Sequence, residues 1–396
     1  MHMRFVFLTL GYHPDKPGGA YRYVAEVAGK LVRAGAEVYA VYPGEAPRDE
    51  DEDREGVKLR RFADAKGFFA ANWIVENARA EARVREIAAD PKPTLWVVTH
   101  AFFGRCSARL GKPYVSLFTG PWAQEYLFSR AGRQAGLFDR LLQQVVAIGM
   151  RRVERRTLQR SARVLTISDY YVSQLPSWHP GFSRPVRMIS GGVDLERFSP
   201  PAERHALRTR WGLASNEKLL LSVRRLDPRM GLAMLVRAFR SVPDHADARL
   251  WIAGMGSQKE ALAALIRETR QEHRIKLLGF VPEEDLAGLY GAADCTIAPS
   301  LALEGFGLVL VESLACGTPV LGADSGAISE ILKPLDPSLL FPSGSEAQLG
   351  SLLAELLQNP LKLPGRERCR EYCARHFSWD RPARGFQTAF NELVLA

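Results

Sequence analysis

Two rounds of short apolar runs, each followed by a mixed stretch with helical spacing, set the pattern of this chain. Phe5 to Leu10 is the first run and reads as a buried strand. A loop from Gly11 to Gly19 follows, then a helix over about residues 20–34, then a strand from Val38 to Tyr42. Such a β-α-β opening implies a parallel sheet. Leu95 to Val98 and Tyr114 to Phe118 are further strands, and both end in polar or Gly residues, where α/β proteins bind ligands. Val164 to Ile167 closes this first unit. The acidic stretch Glu45 to Glu55 reads as a solvated loop, and residues 180–203, rich in Pro and Gly, read as a linker. A second alternation then begins, with strands at 219–223, 249–253, 275–278, 295–298 and 320–322. The expected fold is α/β, with two Rossmann-like doubly wound domains at 1–190 and 191–377. The final helix, 378–396, is expected to cross back to the first domain.

Length fits this division, since 396 residues suit about two domains. No run of eighteen uncharged apolar residues is present, so no membrane span is expected. Met1-His2-Met3 reads as an added start, and no secretory leader pattern follows it. Five cysteines form no CxxC pair and have no His at zinc spacing, which fits free thiols in a reducing cytoplasm. Cys369 and Cys373 can share a helix face, where simple packing explains them. Fifty-three basic against 44 acidic residues give +9, an excess that suits anionic ligands or a membrane surface. Its densest run is Arg151-Arg152-Val-Glu-Arg155-Arg156, with Arg160 and Arg163 following. A solvated helix face is the plain reading there, and docking on anionic lipid is the functional one. Nucleic acid is excluded as a partner, because no aromatic residues interleave with the arginines.

The richest chemistry lies in Glu304-Gly305-Phe306-Gly307-Leu308-Val-Leu-Val-Glu312. A carboxylate precedes a Gly-Phe-Gly turn, the turn opens an apolar helix, and a second carboxylate sits eight residues on. Unpaired N–H groups at a helix start form a ready anion site. A phosphate at the turn with hydroxyls on either side has the shape of a nucleotide-sugar. Arg224-Arg225-Leu-Asp-Pro-Arg229-Met230-Gly231 leaves the first strand of the second domain, and guanidinium forks suit a diphosphate. Gly254-Met-Gly256 and Gly279-Phe280-Val281-Pro282 are weaker turn signals, the latter suited to meet a nucleobase. In the first domain, Gly18 and Gly19 can let backbone approach a phosphate. His100 ends one strand, and Thr119-Gly-Pro-Trp122-Ala-Gln-Glu125 ends the next, where Trp122 can stack on a sugar and Glu125 can orient a hydroxyl. No Gly-x-Gly-x-x-Gly fingerprint opens the chain and no acid ends the second strand, which argues against a nicotinamide enzyme. Asp51-Glu-Asp53 lies in the acidic stretch rather than at a strand end, so no metal site is expected.

Together, residues 304–319, 223–231, 18–19 and Gly192-Val-Asp194 resemble glycosyltransferase family 4, retaining sugar transferases of the GT-B fold. The resemblance spans most of the chain and rests chiefly on the Glu-x7-Glu string. It implies two Rossmann-like domains facing a central cleft, a nucleotide-sugar on the second and an acceptor across from it. By position it implies that Glu312 binds the ribose, Glu304 the donor sugar, and Arg225 the diphosphate. Phe306, Gly307 and Leu308 would offer backbone N–H groups. Two positions depart from the family pattern. Met230 stands where a Lys is usual, which moves that expected charge to Arg229, and Thr119 stands where a His is common, which turns attention to His100. The implied activity is metal-independent, retaining hexosyl transfer from a nucleotide-sugar to a sugar, lipid-linked or small-molecule acceptor. UDP is favoured as the commonest donor base in that family, and peripheral contact with an anionic membrane stays open. A nucleotide-sugar epimerase or hydrolase and a non-catalytic nucleotide-sugar-binding protein are the other two classes.

Overall fold

The computed structural model describes residues 3–65, 69–130, 136–358 and 363–395. The added-start reading of Met1-His2 lies outside them. Two compact units emerge. The first takes in the described residues up to Leu127, those from Gly136 to Gly191, and those from Trp379 onward. The second holds Phe128 to Arg130 and Gly192–Ser378.

Eight strands build the sheet of the first unit: β1 (Arg4–Leu8), β2 (Glu37–Gly44), β3 (Glu50–Arg54), β4 (Val57–Ala63), β5 (Thr94–Val98), β6 (Tyr114–Phe118), β7 (Arg163–Thr166) and β8 (Val186–Met188). Their order is β3-β4-β2-β1-β5-β6-β7-β8, parallel except for β3, which runs antiparallel to β4. Central strands of a parallel sheet are covered on both faces, which is why β1, β5 and β6 read as mostly apolar runs rather than alternating ones. The helix Gly19–Arg33 buries Tyr23, Val27 and Leu31, a helical i, i+4, i+8 stripe. The helix Asp380–Val394 packs on the same sheet. Its Phe386 and Phe390 each set a ring centroid 5.4 Å from that of a β1 residue, Phe7 and Phe5 respectively.

Two expectations for this unit need correction. Glu45 to Glu55 is not wholly a solvated loop, because β3 lies inside it. Its carboxylates face cations: Glu52 pairs with Arg54 and Arg61, and Asp51 with Arg60 and Arg83. Nor does Val164 to Ile167 close the sheet. Residues 186–188, placed in the linker by their Pro and Gly neighbours, add β8 beside β7.

Six parallel strands form the second sheet, β9 (Lys218–Val223), β10 (Ala248–Ala253), β11 (Ile275–Gly279), β12 (Cys295–Ala298), β13 (Val320–Asp324) and β14 (Leu340–Pro342). Their order is β11-β10-β9-β12-β13-β14. The order reverses direction between β9 and β12, the switch point at which open parallel sheets bind ligands. The helix Leu308–Ala315 is apolar nearly all round because it is enclosed on all sides, with the helix Arg366–His376 on its outer face. Cys373 Sγ sits 3.2 Å from the Val311 carbonyl there, and Cys369 is fully buried beside it. Both thiols are packing residues.

Candidate active site

At the end of β9 the chain delivers two consecutive arginines, and extended backbone sends them to opposite sides. Arg224 turns inward and is 6% exposed; Arg225 turns to solvent. Arg224 Nη1 donates to Glu304 Oε2 at 2.6 Å, and Ser300 Oγ donates to the same oxygen at 3.0 Å. Burial pushes the Glu304 carboxyl up, but the charges of Arg224 and Arg229 and those two hydrogen bonds outweigh it, so Glu304 titrates below its ordinary range. It is therefore a fixed anion at neutral pH. Arg229 Nη1 donates to the Leu303 carbonyl at 2.9 Å, which ties the Pro228–Met230 turn to the loop before Glu304. Arg229 thus acts on Glu304 through its charge.

Glycines make this close packing feasible. A Cβ on Gly254 would lie 1.8 Å from the Arg224 carbonyl oxygen, and one on Gly231 would lie 1.9 Å from that of Pro299. Both positions have φ in the left-handed half of the map. Gly307 (φ 86°) caps the helix Leu308–Ala315 in the same way, and Gly305 and Phe306 are buried in the turn before it. Phe306 packs edge-on against Phe377, 5.9 Å away. The first N–H groups of this helix, Leu308 among them, have no carbonyl partner within it.

Glu312 lies within that helix and is buried. Its Oε2 accepts from Tyr290 Oη at 3.0 Å. Tyr290 itself is fully buried, and its carbonyl accepts from Thr318 Oγ1 at 2.7 Å. The carboxylate is therefore held by interior hydrogen bonds rather than swinging in solvent. Val281 is half-buried beside the exposed Phe280, where Gly254 N donates to the Gly279 carbonyl at 2.7 Å. These two glycine turns, β10 to Gly254 and β11 to Gly279, are thus bonded directly to each other.

In the first unit, His100 caps the turn Ala101–Phe103, its Nδ1 accepting from Phe102 N at 3.1 Å. Its ring meets Trp122 edge-on at 5.0 Å. Burial, with a smaller contribution from Lys16, lowers its pKa from 6.5 to about 4. His100 is thus neutral at physiological pH, and one ring nitrogen is already occupied. Trp122 also packs against Phe102, and its backbone N–H donates to Glu154 Oε1 at 3.1 Å. Thr119 and His100 line a small cavity with Thr99, Glu154 and Thr157. Glu125 folds back over Gly120, where an added Cβ would lie 2.8 Å from its Oε1. Gly18 and Gly19 open the helix Gly19–Arg33 and are exposed. Among the described residues no group of three His, Cys, Asp or Glu side chains is arranged to hold a metal.

The structure thus gathers Arg229, Gly254, Glu304 and the 305–308 turn around one strand-end cluster. His100, Thr119, Trp122 and Glu125 form another at the ends of β5 and β6. Ser300, Tyr290 and Glu154 join these clusters without having been singled out in the sequence, and Arg224, read there with Arg225 as a diphosphate ligand, turns out to hold Glu304. Arg224 was legible only as half of a pair, and the partners of Glu304 and Glu312 lie on distant segments.

Comparison with known proteins decides the family. The model for glycosyl transferases group 1 matches residues 203–376, and that for Glycosyltransferase Family 4 matches residues 17–197. This chain is a family 4-type glycosyltransferase. An uncharacterized glycosyltransferase of Methanocaldococcus jannaschii is 27% identical over 84% of this chain and 83% of its own length. The GDP-mannose-dependent monoacylated alpha-(1-6)-phosphatidylinositol monomannoside mannosyltransferase of Corynebacterium glutamicum is 32% identical over 50% of this chain and 54% of its own length. Among solved structures, sucrose-phosphate synthase from Thermosynechococcus elongatus superposes with a TM-score of 0.84 at 22% identity, covering 99% of both chains. Anabaena HepE, solved in complex with UDP and glucose, gives 0.77 at 19% identity over 99% of this chain and 100% of its own. The glycosyltransferase fold is GT-B, as the sequence resemblance implied. No described helix is long and apolar enough to cross a membrane.

Proposed function

We propose that this glycosyltransferase moves a hexosyl group from a nucleotide-sugar, with UDP as the base, to an acceptor hydroxyl, retaining configuration and using no metal. One observation carries the reading: a helix N-terminus at Leu308 stands next to a fixed carboxylate, Glu304, and a group of arginines at the end of β9. Cleaving a sugar–diphosphate bond puts negative charge on the leaving phosphate. Arg225, Arg229 and the N–H groups of the helix start are the residues that would stabilise it. Glu304 would orient sugar hydroxyls, and Glu312, braced by Tyr290, would bind the ribose. Retention follows if the acceptor attacks on the face that the phosphate leaves, with the departing phosphate taking the acceptor proton. No side-chain nucleophile is then required, which suits a neutral His100 that positions the acceptor rather than exchanging protons. The aromatic cluster of His100, Trp122 and Phe102, with Thr119 and Glu125, is the acceptor side of this reading, and Gly18 and Gly19 would admit a phosphate there. Incubation with UDP-, GDP- and ADP-hexoses and an acceptor panel in the presence of EDTA tests it. The expected product is an α-glycoside from an α-linked donor, with neither free sugar nor epimer when acceptor is omitted. Loss of all transfer in EDTA, or an inverted product, would contradict it.

A lipid-linked acceptor, with the enzyme at the cytoplasmic face of a membrane, is favoured by one surface. The helix Leu137–Arg160 exposes Leu137 and Phe138 (78% each), Leu141, Leu142, Val145 and Ile148. At 3.6 residues per turn, these six and the exposed Arg152, Arg155, Arg156 and Arg160 all fall within about 140° of the circumference. An apolar end followed on the same side by arginines suits insertion among acyl chains with guanidinium groups at anionic headgroups. Phe138→Glu with Leu141→Glu should lower cosedimentation with phosphatidylglycerol vesicles about ten-fold or more. Unchanged binding, or equal binding to pure phosphatidylcholine, would remove the membrane from this reading.

A further inference from the structure

Glu154 faces the opposite way from its neighbours in sequence. It is the one acid between Arg140 and Arg163, inside the arginine run of the helix Leu137–Arg160. Arg152, Arg155 and Arg156 reach toward solvent, whereas Glu154 turns into the first unit and is 3% exposed. Taking a carboxylate out of water costs free energy unless protein groups replace the lost hydration. Its Oε1 accepts from the backbone N–H of Trp122 at 3.1 Å. Its Oε2 stands 3.2 Å from Nε2 of the fully buried His179, close but not aligned as a hydrogen bond.

Trp122 opens the helix Trp122–Arg130, so no carbonyl of that helix can take its N–H. A carboxylate at this end also suits the helix dipole. The two helices meet through Ala123, Ala147 and Met150, with Trp122 and Tyr126 packed beside them. The strand side of the same turn is less filled. The small cavity there touches Thr119 and Gly120 and is lined also by Ser116, Glu154 and Thr157. Ser116 Oγ and Glu154 Oε2 are shielded from solvent, with no aligned partner among the described residues. Side-chain packing therefore does not fix the Thr119–Trp122 turn on that side, and the bond from Trp122 to Glu154 does.

We infer that Glu154 is a positioning residue for the acceptor: it holds the turn that presents Thr119 and Trp122 and touches no substrate itself. The inference rests on the acceptor reading of the His100–Trp122 cluster above. A stacking ring serves a sugar only at a fixed height and tilt, and the backbone of Trp122 sets both. The requirement is for an acceptor atom at the length of a glutamate side chain. A glutamine carbonyl oxygen reaches the same N–H, a leucine offers nothing to it, and an aspartate falls one methylene short.

The test is fluorine NMR of the fluorotryptophan-labelled protein, titrated with methyl α-glucoside and methyl α-mannoside. The Trp122 resonance is assigned by its loss in Trp122→Ala. In Glu154→Leu it should move, while those of Trp211 and Trp251, paired in the second unit, stay in place. Glycoside affinity read at Trp122 should fall about ten-fold in Glu154→Leu and stay within about three-fold of wild type in Glu154→Gln. An unmoved Trp122 resonance in Glu154→Leu, or unchanged glycoside affinity, would overturn the inference. So would an equal loss of affinity in Glu154→Gln. If Glu154→Leu does not fold, Glu154→Asp decides by the same two readings. A wild-type Trp122 resonance that answers to neither glycoside would instead overturn the acceptor reading.

Discussion

The two strand-end clusters of this enzyme are built from opposite materials. In the second unit, Arg224 and Glu304 form a buried ion pair, Glu312 is buried against Tyr290, and the half-buried Arg229 is tied to the Leu303 carbonyl. In the first, the counterpart at β5 and β6 is built round aromatic rings, carries Glu125 and Glu154 but no arginine, and holds His100 uncharged between Trp122 and its own cap. A preorganised charge array suits a ligand whose charge is constant and grows during reaction, as a diphosphate's does. An aromatic wall with a few hydroxyl-directed groups suits a neutral sugar, held by stacking and shape. The contrast divides the proposed labour between donor and acceptor.

Removing a charge from the second cluster should therefore have the largest effect. Glu304→Ala leaves Arg224 buried with no partner, and should cost about 3–5 kcal/mol of stability in denaturant unfolding. Glu304→Gln, which keeps one acceptor, should cost clearly less. Equal stabilities would mean the Arg224–Glu304 pair is not the structural lock described. Arg225→Ala comes next. Because that side chain is exposed, Tm should hold while kcat falls by roughly 2–4 kcal/mol of transition-state stabilisation. A fall in Tm with kcat unchanged would assign Arg225 to structure instead.

Tyr290→Phe probes the brace under Glu312. Loss of one buried hydrogen bond to a charged acceptor should cost about 1.5–3 kcal/mol and raise the donor KM more than it lowers kcat. The smallest effect is expected in the aromatic cluster. The folded-state pKa of His100, about 4, lies below its ordinary 6.5, so its contribution to stability is complete above pH 6.5 and fades as pH falls toward 4. His100→Asn, which can still cap Phe102, should be the less stable protein at pH 7.5 and close that gap by pH 4. A gap that stays constant across this range would show that His100 does not titrate as its surroundings dictate.

Much of this contrast was readable from the sequence, and what was not has physical reasons. The Glu304–Glu312 string and the strand ends were visible because glycines and charges interrupt apolar runs. Which of two consecutive arginines faces inward was not, since an extended chain alternates faces and its phase depends on packing. Glu312 looked free to reach a ligand because Tyr290, its partner, lies 22 residues away on another helix. Strand β3 looked like loop because its carboxylates find their arginines on neighbouring elements, chiefly β4. Strands β8 and β14 are three residues long, too short to carry a period. The exposed apolar end of the helix Leu137–Arg160 was missed because an apolar residue in a helix is ordinarily read as buried.

The donor side is the central assignment, and amide hydrogen exchange with and without a nucleotide-sugar tests it most directly. Bound donor should slow exchange at residues 224–231 and 304–312 and leave residues 99–103 and 119–125 nearly unchanged. Protection confined to the β5 and β6 ends, with none at 304–312, would contradict the account.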